Sequence, residues 1–248
     1  MSGPELALWL IPALFAGALL YASVGHGGAS AYLAIMALAG MAPGDMKPIA
    51  LMLNIVVASI ATYKYVRAGC FDRRLLAGFA LFSLPLAYIG GGMTLPDAWF
   101  KPVVGAVLIF AAWRMLSPAM ARVDSAARRA PLAGIAVAGS VMGFLSGLTG
   151  VGGGIFLSPL VLLLGWASTR ATSGVAAAFI LLNSIAGLAG FLEQGTLPQS
   201  PVLPAWALAV AVGGWIGAEL GSRRIAPPWI RKLLALVLVI AGSKLALA

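Results

Sequence analysis

Two glycine clusters, Gly25-His26-Gly27-Gly28-Ala29-Ser30 and Thr149-Gly150-Val151-Gly152-Gly153-Gly154, stand at matching places in the two halves of the chain. Their first glycines are 125 residues apart in a chain of 248. Each cluster precedes an apolar segment of only about 12 residues, 29–40 and 154–165, whereas a helical membrane span needs about 20. The clusters therefore predict glycine-rich turns followed by short broken or re-entrant helices.

Longer apolar segments surround these short ones in the same order in each half. The repeated order, with Leu53-Asn54 echoed by Leu182-Asn183, predicts an internal duplication with five segments per half. We expect a first transmembrane repeat over 1–122, a basic cytoplasmic linker over 123–130 and a second repeat over 131–248. The longer segments are 5–24, 48–66, 76–95, 102–119, 131–149, 174–192, 203–222 and 230–247.

The composition predicts an all-α integral membrane protein. Hydrophobic residues make up 61% of the chain and charged residues 9%, with a mean hydropathy of +1.01. A soluble domain usually carries about 25% charged residues. The net charge of +9 comes from bases between apolar runs, which indicates membrane topology and not a nucleic-acid partner. A single Cys70 and a single His26 exclude a metal site built from several such ligands, and we expect no cofactor.

The lysines and arginines predict the orientation. If every segment crosses the membrane and the N-terminus is outside, 13 of the 16 basic residues lie inside, and only Lys47, Lys101 and Lys244 lie outside. This arrangement satisfies the positive-inside rule. Five crossings per half make the second repeat inverted relative to the first, a transporter architecture with its site near the midplane. We expect both termini outside a bacterial cytoplasmic (inner) membrane.

The glycine clusters are the candidate substrate site. Glycine adopts positive φ, so successive N–H groups can face one side and bind an anion, and a helix start adds about half a positive charge there. Close packing of small residues between helices is the alternative interpretation. The predicted substrate-binding residues are Gly25, His26, Gly27, Gly28, Ser30, Asn54, Thr149, Gly150, Gly152, Gly153, Gly154 and Asn183.

The polar residues of this set each have a structural alternative. His26 can bind substrate, carry a proton or fill space, since an ionisable group within a membrane is a functional candidate. The Ser30 and Thr149 hydroxyls can bind the anion or satisfy helix ends, and the two asparagines can bond between helices or line the path. Glu219 precedes Arg223 by four residues, which predicts a salt bridge at the membrane edge or a gate. We name His26 and Glu219 as candidates for gating or proton coupling.

At these residues the sequence resembles the TauE/SafE family of sulfite and organosulfonate exporters. The resemblance rests on Gly25-His26-Gly27-Gly28, on Gly150-Val151-Gly152-Gly153-Gly154 and on Ile216-Gly217-Ala218-Glu219-Leu220-Gly221 before Arg223-Arg224. It covers nearly the whole chain. It implies a permease for sulfite, sulfoacetate or a related sulfur anion.

We therefore predict a permease and not an enzyme: a protein in a lipid bilayer that moves a small anion outward by alternating access, with a homo-oligomer left open. Outward movement is favoured because each exported negative charge gains about 2.3 kcal/mol per 100 mV of inside-negative potential. A carboxylate is the alternative anion. An intramembrane hydrolase, with His26 as base and Ser30 as nucleophile four residues later, is the rival class.

Overall fold

The computed structural model describes residues 4–116, 129–198 and 200–223, together with 235–236, 238–240, 242–244 and 246. This part of the chain contains helices and no strand, as the composition predicted. The described residues between 235 and 246 are helical, and the rest of the predicted last segment, 230–247, lies outside the described part, as does most of the predicted linker 123–130. The helices are α1 (Pro4–Ala22), α2 (Ala29–Leu38), α3 (Pro43–Arg67), α4 (Arg73–Gly92), α5 (Asp97–Leu116), α6 (Leu132–Thr149), α7 (Gly154–Leu163), α8 (Thr169–Leu192) and α9 (Leu203–Arg223).

Five of these helices, α3, α4, α6, α8 and α9, are long and apolar enough to cross a bilayer, and the others contribute shorter apolar stretches. The chain is thus a multi-pass membrane protein. Some helices begin earlier than the apolar runs suggested. The prediction started the eighth segment at residue 174, but α8 begins at Thr169, because the Ser168 hydroxyl caps it by accepting a bond from the Ala171 amide at 3.3 Å.

The long helices α3 and α8 cross the middle of the molecule in opposite directions. Near the start of α3, the Lys47 ammonium lies 5.9 Å from the centre of the Phe191 ring at the end of α8. Near the end of α3, Tyr65 packs against Gly174 at the start of α8. We call the two ends of the helix bundle the Lys47 end and the Lys64 end.

Two seams of small residues join pairs of parallel helices. Every fourth residue on one helix of each pair is glycine, and at most of these glycines a Cβ would overlap a carbonyl oxygen of the partner helix, so the two backbones touch. In the first seam Gly139, Gly143 and Gly147 of α6 face Phe79, Ser83 and Ala87 of α4. In the second seam Gly213, Gly217 and Gly221 of α9 face Phe15, Leu19 and Ser23 of α1.

The directions of these helices place the first glycine turn at mid-height. Because α1 is parallel to α9, and Lys64 near the end of α3 bonds Glu219 near the end of α9, α1 and α3 both finish at the Lys64 end. The chain between them must therefore return to the Lys47 end. The helix α2 has ten residues and is about 15 Å long, so it covers only the second part of that return. It begins beside Asn54, which lies in the middle of α3, and the glycine turn before it therefore lies near mid-height.

The seams predict where small size is required. Replacing Gly143 or Gly217 by alanine forces a methyl group against backbone, and overpacking of this kind costs about 1–3 kcal/mol. The matched control is Gly44→Ala, since no heavy atom lies within 4 Å of a Cβ there. We expect both seam variants, but not the control, to melt at lower temperature in detergent when followed by size-exclusion chromatography. Equal melting of all three would contradict the direct backbone contact.

Candidate functional site

Each short helix starts directly after a glycine in the left-handed region. Gly28 (φ 106°) precedes α2 and Gly153 (φ 77°) precedes α7, and neither helix has a side-chain cap. Gly25, Gly150 and Gly152 also have positive φ. These are conformations that residues with a Cβ rarely adopt, so the local sequence determines the two breaks.

Asn54 connects the first turn to the second half of the chain. It lies in the middle of α3 and is fully buried. Its Oδ1 accepts a hydrogen bond from the Ala29 amide, the first of α2, at 3.2 Å. Its Nδ2 donates to Ser184 Oγ of α8 at 3.0 Å. One carboxamide thus supplies the acceptor for the start of α2 and holds α3 against α8.

The two glycine turns contact the same pair of side chains. A Cβ added at Gly27 would overlap Asn54 Oδ1 and lie 2.8 Å from Ile180 Cγ2. A Cβ added at Gly152 would overlap Asn54 Nδ2 and lie 2.9 Å from the same Ile180 atom. The turns therefore converge from opposite halves onto what we call the meeting point: Gly27, Gly152, Asn54 and Ile180.

The contacts of the turns do not match the expected equivalence of Asn54 and Asn183 in the two halves. In the contacts of the two turns, the counterpart of Asn54 is Ile180, and Asn183 lies three residues further along α8. Three residues move a side chain about 4.5 Å along a helix and turn it by about 60°. Asn183 Nδ2 instead donates to Phe179 O of its own helix at 2.8 Å, and within the described part of the chain its buried Oδ1 has no hydrogen-bond partner. The site is chemically unequal, with an amide in one half and an alkyl group in the other.

The other predicted polar residues belong to the turns themselves. His26 is buried, with Nδ1 3.1 Å from the Val24 carbonyl oxygen and its ring at right angles to Tyr21. Thr149 Oγ1 donates to Leu145 O at 2.6 Å and accepts from the Val151 amide at 3.4 Å, so it satisfies groups at the end of α6. These contacts hold the turns in shape.

Ser30 occupies the first turn of α2, where it is buried beside the Tyr21 hydroxyl. In the second half, Ser146 near the end of α6 lies beside the start of α7. Its Cβ lies 3.3 Å from the Cβ position of Gly153, and its buried hydroxyl has no hydrogen-bond partner among the described residues. A hydroxyl group thus accompanies the start of each short helix.

Sequence reasoning missed Ser146, Ile180, Ser184 and Lys47. The two serines carried a weak signal, as hydroxyls within apolar spans. Ile180 carried none, since one more isoleucine in an apolar run is unremarkable in sequence. Lys47 was assigned to an outside loop, but it lies within α3 and is only 5% exposed.

Glu219 forms an ion pair that joins the two halves at the Lys64 end. Its Oε2 accepts from Lys64 Nζ of α3 at 2.5 Å, and its Oε1 lies 2.5 Å from Arg223 Nε, one helical turn further on. The Lys64 ammonium also lies 3.7 Å from the centre of the Trp215 ring. The salt bridge predicted with Arg223 is present, and its second partner comes from the other half.

Comparison with known proteins places the chain among membrane transporters. The family model described as "Sulfite exporter TauE/SafE" matches residues 10–245. A probable membrane transporter of Sinorhizobium fredii, y4hK, is 40% identical over 96% of this chain and 98% of its own length. YunE of Bacillus subtilis is 31% identical over 45% of this chain and 40% of its own, and MJ0441 of Methanocaldococcus jannaschii is 24% identical over 77% and 75%. Both carry the same description as y4hK. No solved structure matches the chain.

The bonds of Asn54 predict unequal effects of two similar substitutions. Asn54→Leu removes the buried carboxamide that bridges the Ala29 amide and Ser184 Oγ, and it leaves the Ala29 amide without its acceptor, at about 1–3 kcal/mol per orphaned group. Asn183→Leu, the matched control, removes a bond within one helix. We expect the first variant to melt clearly below the second in detergent. Equal melting temperatures would show that the bridge contributes nothing to stability.

Proposed function

Because the chain belongs to the TauE/SafE family of sulfite exporters, we propose that it is a permease for a small oxyanion of the sulfite or organosulfonate class. In this proposal it moves the anion outward across a bacterial inner membrane by alternating access. The observation that carries the proposal is the convergence of two helix starts, Gly28-Ala29 and Gly153-Gly154, on one buried point in the middle of the bundle.

The helix directions support two inverted repeats, 1–122 and 131–248. The equivalent helices α3 and α8 are antiparallel, and α1 pairs with α9 as α6 pairs with α4. If the first half is superposed on the second, the contact of α1 with α9 takes the place of the contact of α6 with α4. An approximate two-fold axis in the membrane plane produces this pattern and places a shared site near the midplane.

The distribution of basic residues supports a cytoplasmic Lys64 end. Among the basic residues that the structure describes, eight belong to helix ends or adjoining residues on that side, and three belong to the Lys47 end. The eight are Lys64, Arg67, Arg73, Arg74, Arg114, Arg129, Arg170 and Arg223, and the three are Lys47, Lys101 and Lys244.

The two halves contribute different side chains to the meeting point, Asn54 and Ile180, and this difference suggests how the anion is held. Asn54 Oδ1 already accepts the Ala29 amide, which is what an anionic oxygen would do at a helix start. The first turn of α7 faces Ile180, which accepts no hydrogen bond. In our proposal the described conformation is closed, with Asn54 and Ile180 filling the meeting point. When the turns separate, the anion enters the meeting point. Its oxygens accept hydrogen bonds from the amides at both helix starts, and the Ser30 and Ser146 hydroxyls lie nearby.

Neutral donors suit a transporter that must release its cargo. An amide or hydroxyl bond to an anion is weaker than a bond to arginine, because it lacks the second charge. The Lys64–Glu219–Arg223 cluster then acts as the inner gate, since it ties α3 of one half to α9 of the other. His26 remains the candidate for proton coupling. Without such coupling, the membrane potential drives export.

Short carboxylates are the second substrate class, because amide donors also form hydrogen bonds with planar carboxylate oxygens. A panel of sulfite, sulfoacetate, thiosulfate and acetate separates the two classes. We expect purified protein in proteoliposomes to release the sulfur anions faster than acetate.

The driving force is tested with the same vesicles. With potassium and valinomycin setting the potential, we expect sulfite to leave faster when the compartment facing the Lys64 end is made negative. Each 100 mV is worth about 2.3 kcal/mol per charge. Efflux that does not depend on voltage and instead follows a pH gradient would refute transport driven by the membrane potential alone. Absence of transport for every anion in the panel would refute the proposed function.

The site itself is tested by two alanine variants with the same backbone strain. Gly152 (φ 81°) and Gly40 (φ 76°) are both left-handed, but a Cβ at Gly152 enters the meeting point, whereas one at Gly40 meets no atom within 4 Å. We expect Gly152→Ala to abolish transport at temperatures where it remains folded, and Gly40→Ala to retain it. Similar transport by the two variants would argue against a substrate site at the turns.

A further inference from the structure

Lys47 is a buried cation that the proposed mechanism does not yet use. It lies one turn into α3 and is 5% exposed. Its Nζ donates to three carbonyl oxygens where α4 ends: Gly90 at 3.2 Å, Gly91 at 2.7 Å and Met93 at 3.0 Å. A cation there complements the negative end of the helix dipole. The bonds join α3 to α4 at the Lys47 end.

A small cavity of about 70 Å³ adjoins this lysine. Since a single water needs about 10–15 Å³ on such a scale, the cavity has room for several waters or one small oxyanion. Lys47 and Thr94 are its polar side chains, and Thr94 is exposed, so the cavity reaches the surface. The remaining lining residues are Pro43, Gly44, Met93, Leu95, Phe100, Leu148 and Phe191.

The cavity lies next to the second glycine turn. Lys47 Cα and Cγ are each 3.3 Å from the Cβ position of Gly150, the first glycine of that turn. The glycines that accept the lysine bonds also pack on the second half, Gly90 against α6 and Gly91 against α8. A movement of the ammonium would therefore change the packing at the place where α3, α4, α6 and α8 meet.

We propose that Lys47, with Thr94 and this cavity, forms a second binding site for a small oxyanion, between the meeting point and the Lys47 end. The proposal rests on the proposed function. An anion in the cavity competes with neutral carbonyls for the ammonium, because it adds a charge–charge attraction that a carbonyl oxygen cannot supply. The anion thereby draws the Lys47 ammonium away from the carbonyl oxygens at the end of α4. Binding of the anion therefore breaks the bonds that join α3 to α4 at the Lys47 end.

The chain supplies a matched control in Lys244. Its Nζ donates to Ala37 O at 3.1 Å and Leu38 O at 2.9 Å, where α2 ends. It is thus another lysine that caps a helix end at the Lys47 end, and it does not line the cavity. Lys244 is exposed whereas Lys47 is buried, and the loss of Lys244 controls for the removal of a lysine cap at this end of the bundle.

Sulfite efflux from proteoliposomes tests the site with Lys47→Met, Lys47→Arg and Lys244→Met. We expect Lys47→Met to raise the half-saturating sulfite concentration by about tenfold, the equivalent of one charge-assisted bond. Lys47→Arg should stay within a few-fold of wild type, and Lys244→Met should be unchanged. A wild-type half-saturating concentration in Lys47→Met, or an equal rise in Lys244→Met, would overturn the site. Both results require active wild-type protein, so they differ from failure of the proposed function.

A measurement on the wild-type protein covers the case in which Lys47→Met fails to fold. Amine acetylation is followed by mass spectrometry at both lysines, with and without methanesulfonate, a sulfonate that does not consume the reagent. A bound anion favours the charged ammonium, so we expect slower modification of Lys47 and no change at Lys244. An unchanged rate at Lys47 with saturating methanesulfonate would overturn the site.

Discussion

A single carboxamide in the middle of the bundle organises the two broken helices. Asn54 gives the Ala29 amide its acceptor and donates to Ser184 across the interface between halves. Both glycine turns close onto it, because a side chain at Gly27 or Gly152 would occupy its space. An unsatisfied amide costs several kcal/mol in a bilayer, so the acceptor that Asn54 supplies stabilises the first turn at this depth. The glycines and the asparagine are thus one unit, and a change in either alters the other.

Much of this arrangement could be predicted from the sequence, because its causes are local. Clustered glycines before short apolar runs specify the two breaks, and the ion pair of Glu219 with Arg223 follows from helical spacing. The failures share another origin. Asn54 and Asn183 were expected at equivalent places, but the turn contacts match Asn54 with Ile180, because the register of each helix against the turns decides which side chain meets them. The burial of Lys47 depends on the end of α4, which approaches only after folding.

Under the proposed duplication, the two halves follow the same path of the chain and differ in their side chains at the site. One half contributes an amide and the other an isoleucine at the same contact, and the seam glycines lie on α6 in one pair of helices and on α9 in its counterpart. In the proposed duplication, the close backbone contacts are kept whichever partner helix carries the small residue. Side chains at the centre are then free to differ, which lets a transporter bind its cargo differently from the two sides of the membrane.

The most extensive helix contacts all run between the halves: α4 with α6 and α8, α9 with α1 and α3, and α3 with α8. During synthesis the first half of the chain therefore enters the membrane before its principal partner helices exist. Its glycine turn and the Asn54 carboxamide lie in lipid or against the insertion machinery until the second half is made. Folding of such a protein in the membrane therefore resembles the assembly of two subunits that are inserted one after the other, although a single chain joins them.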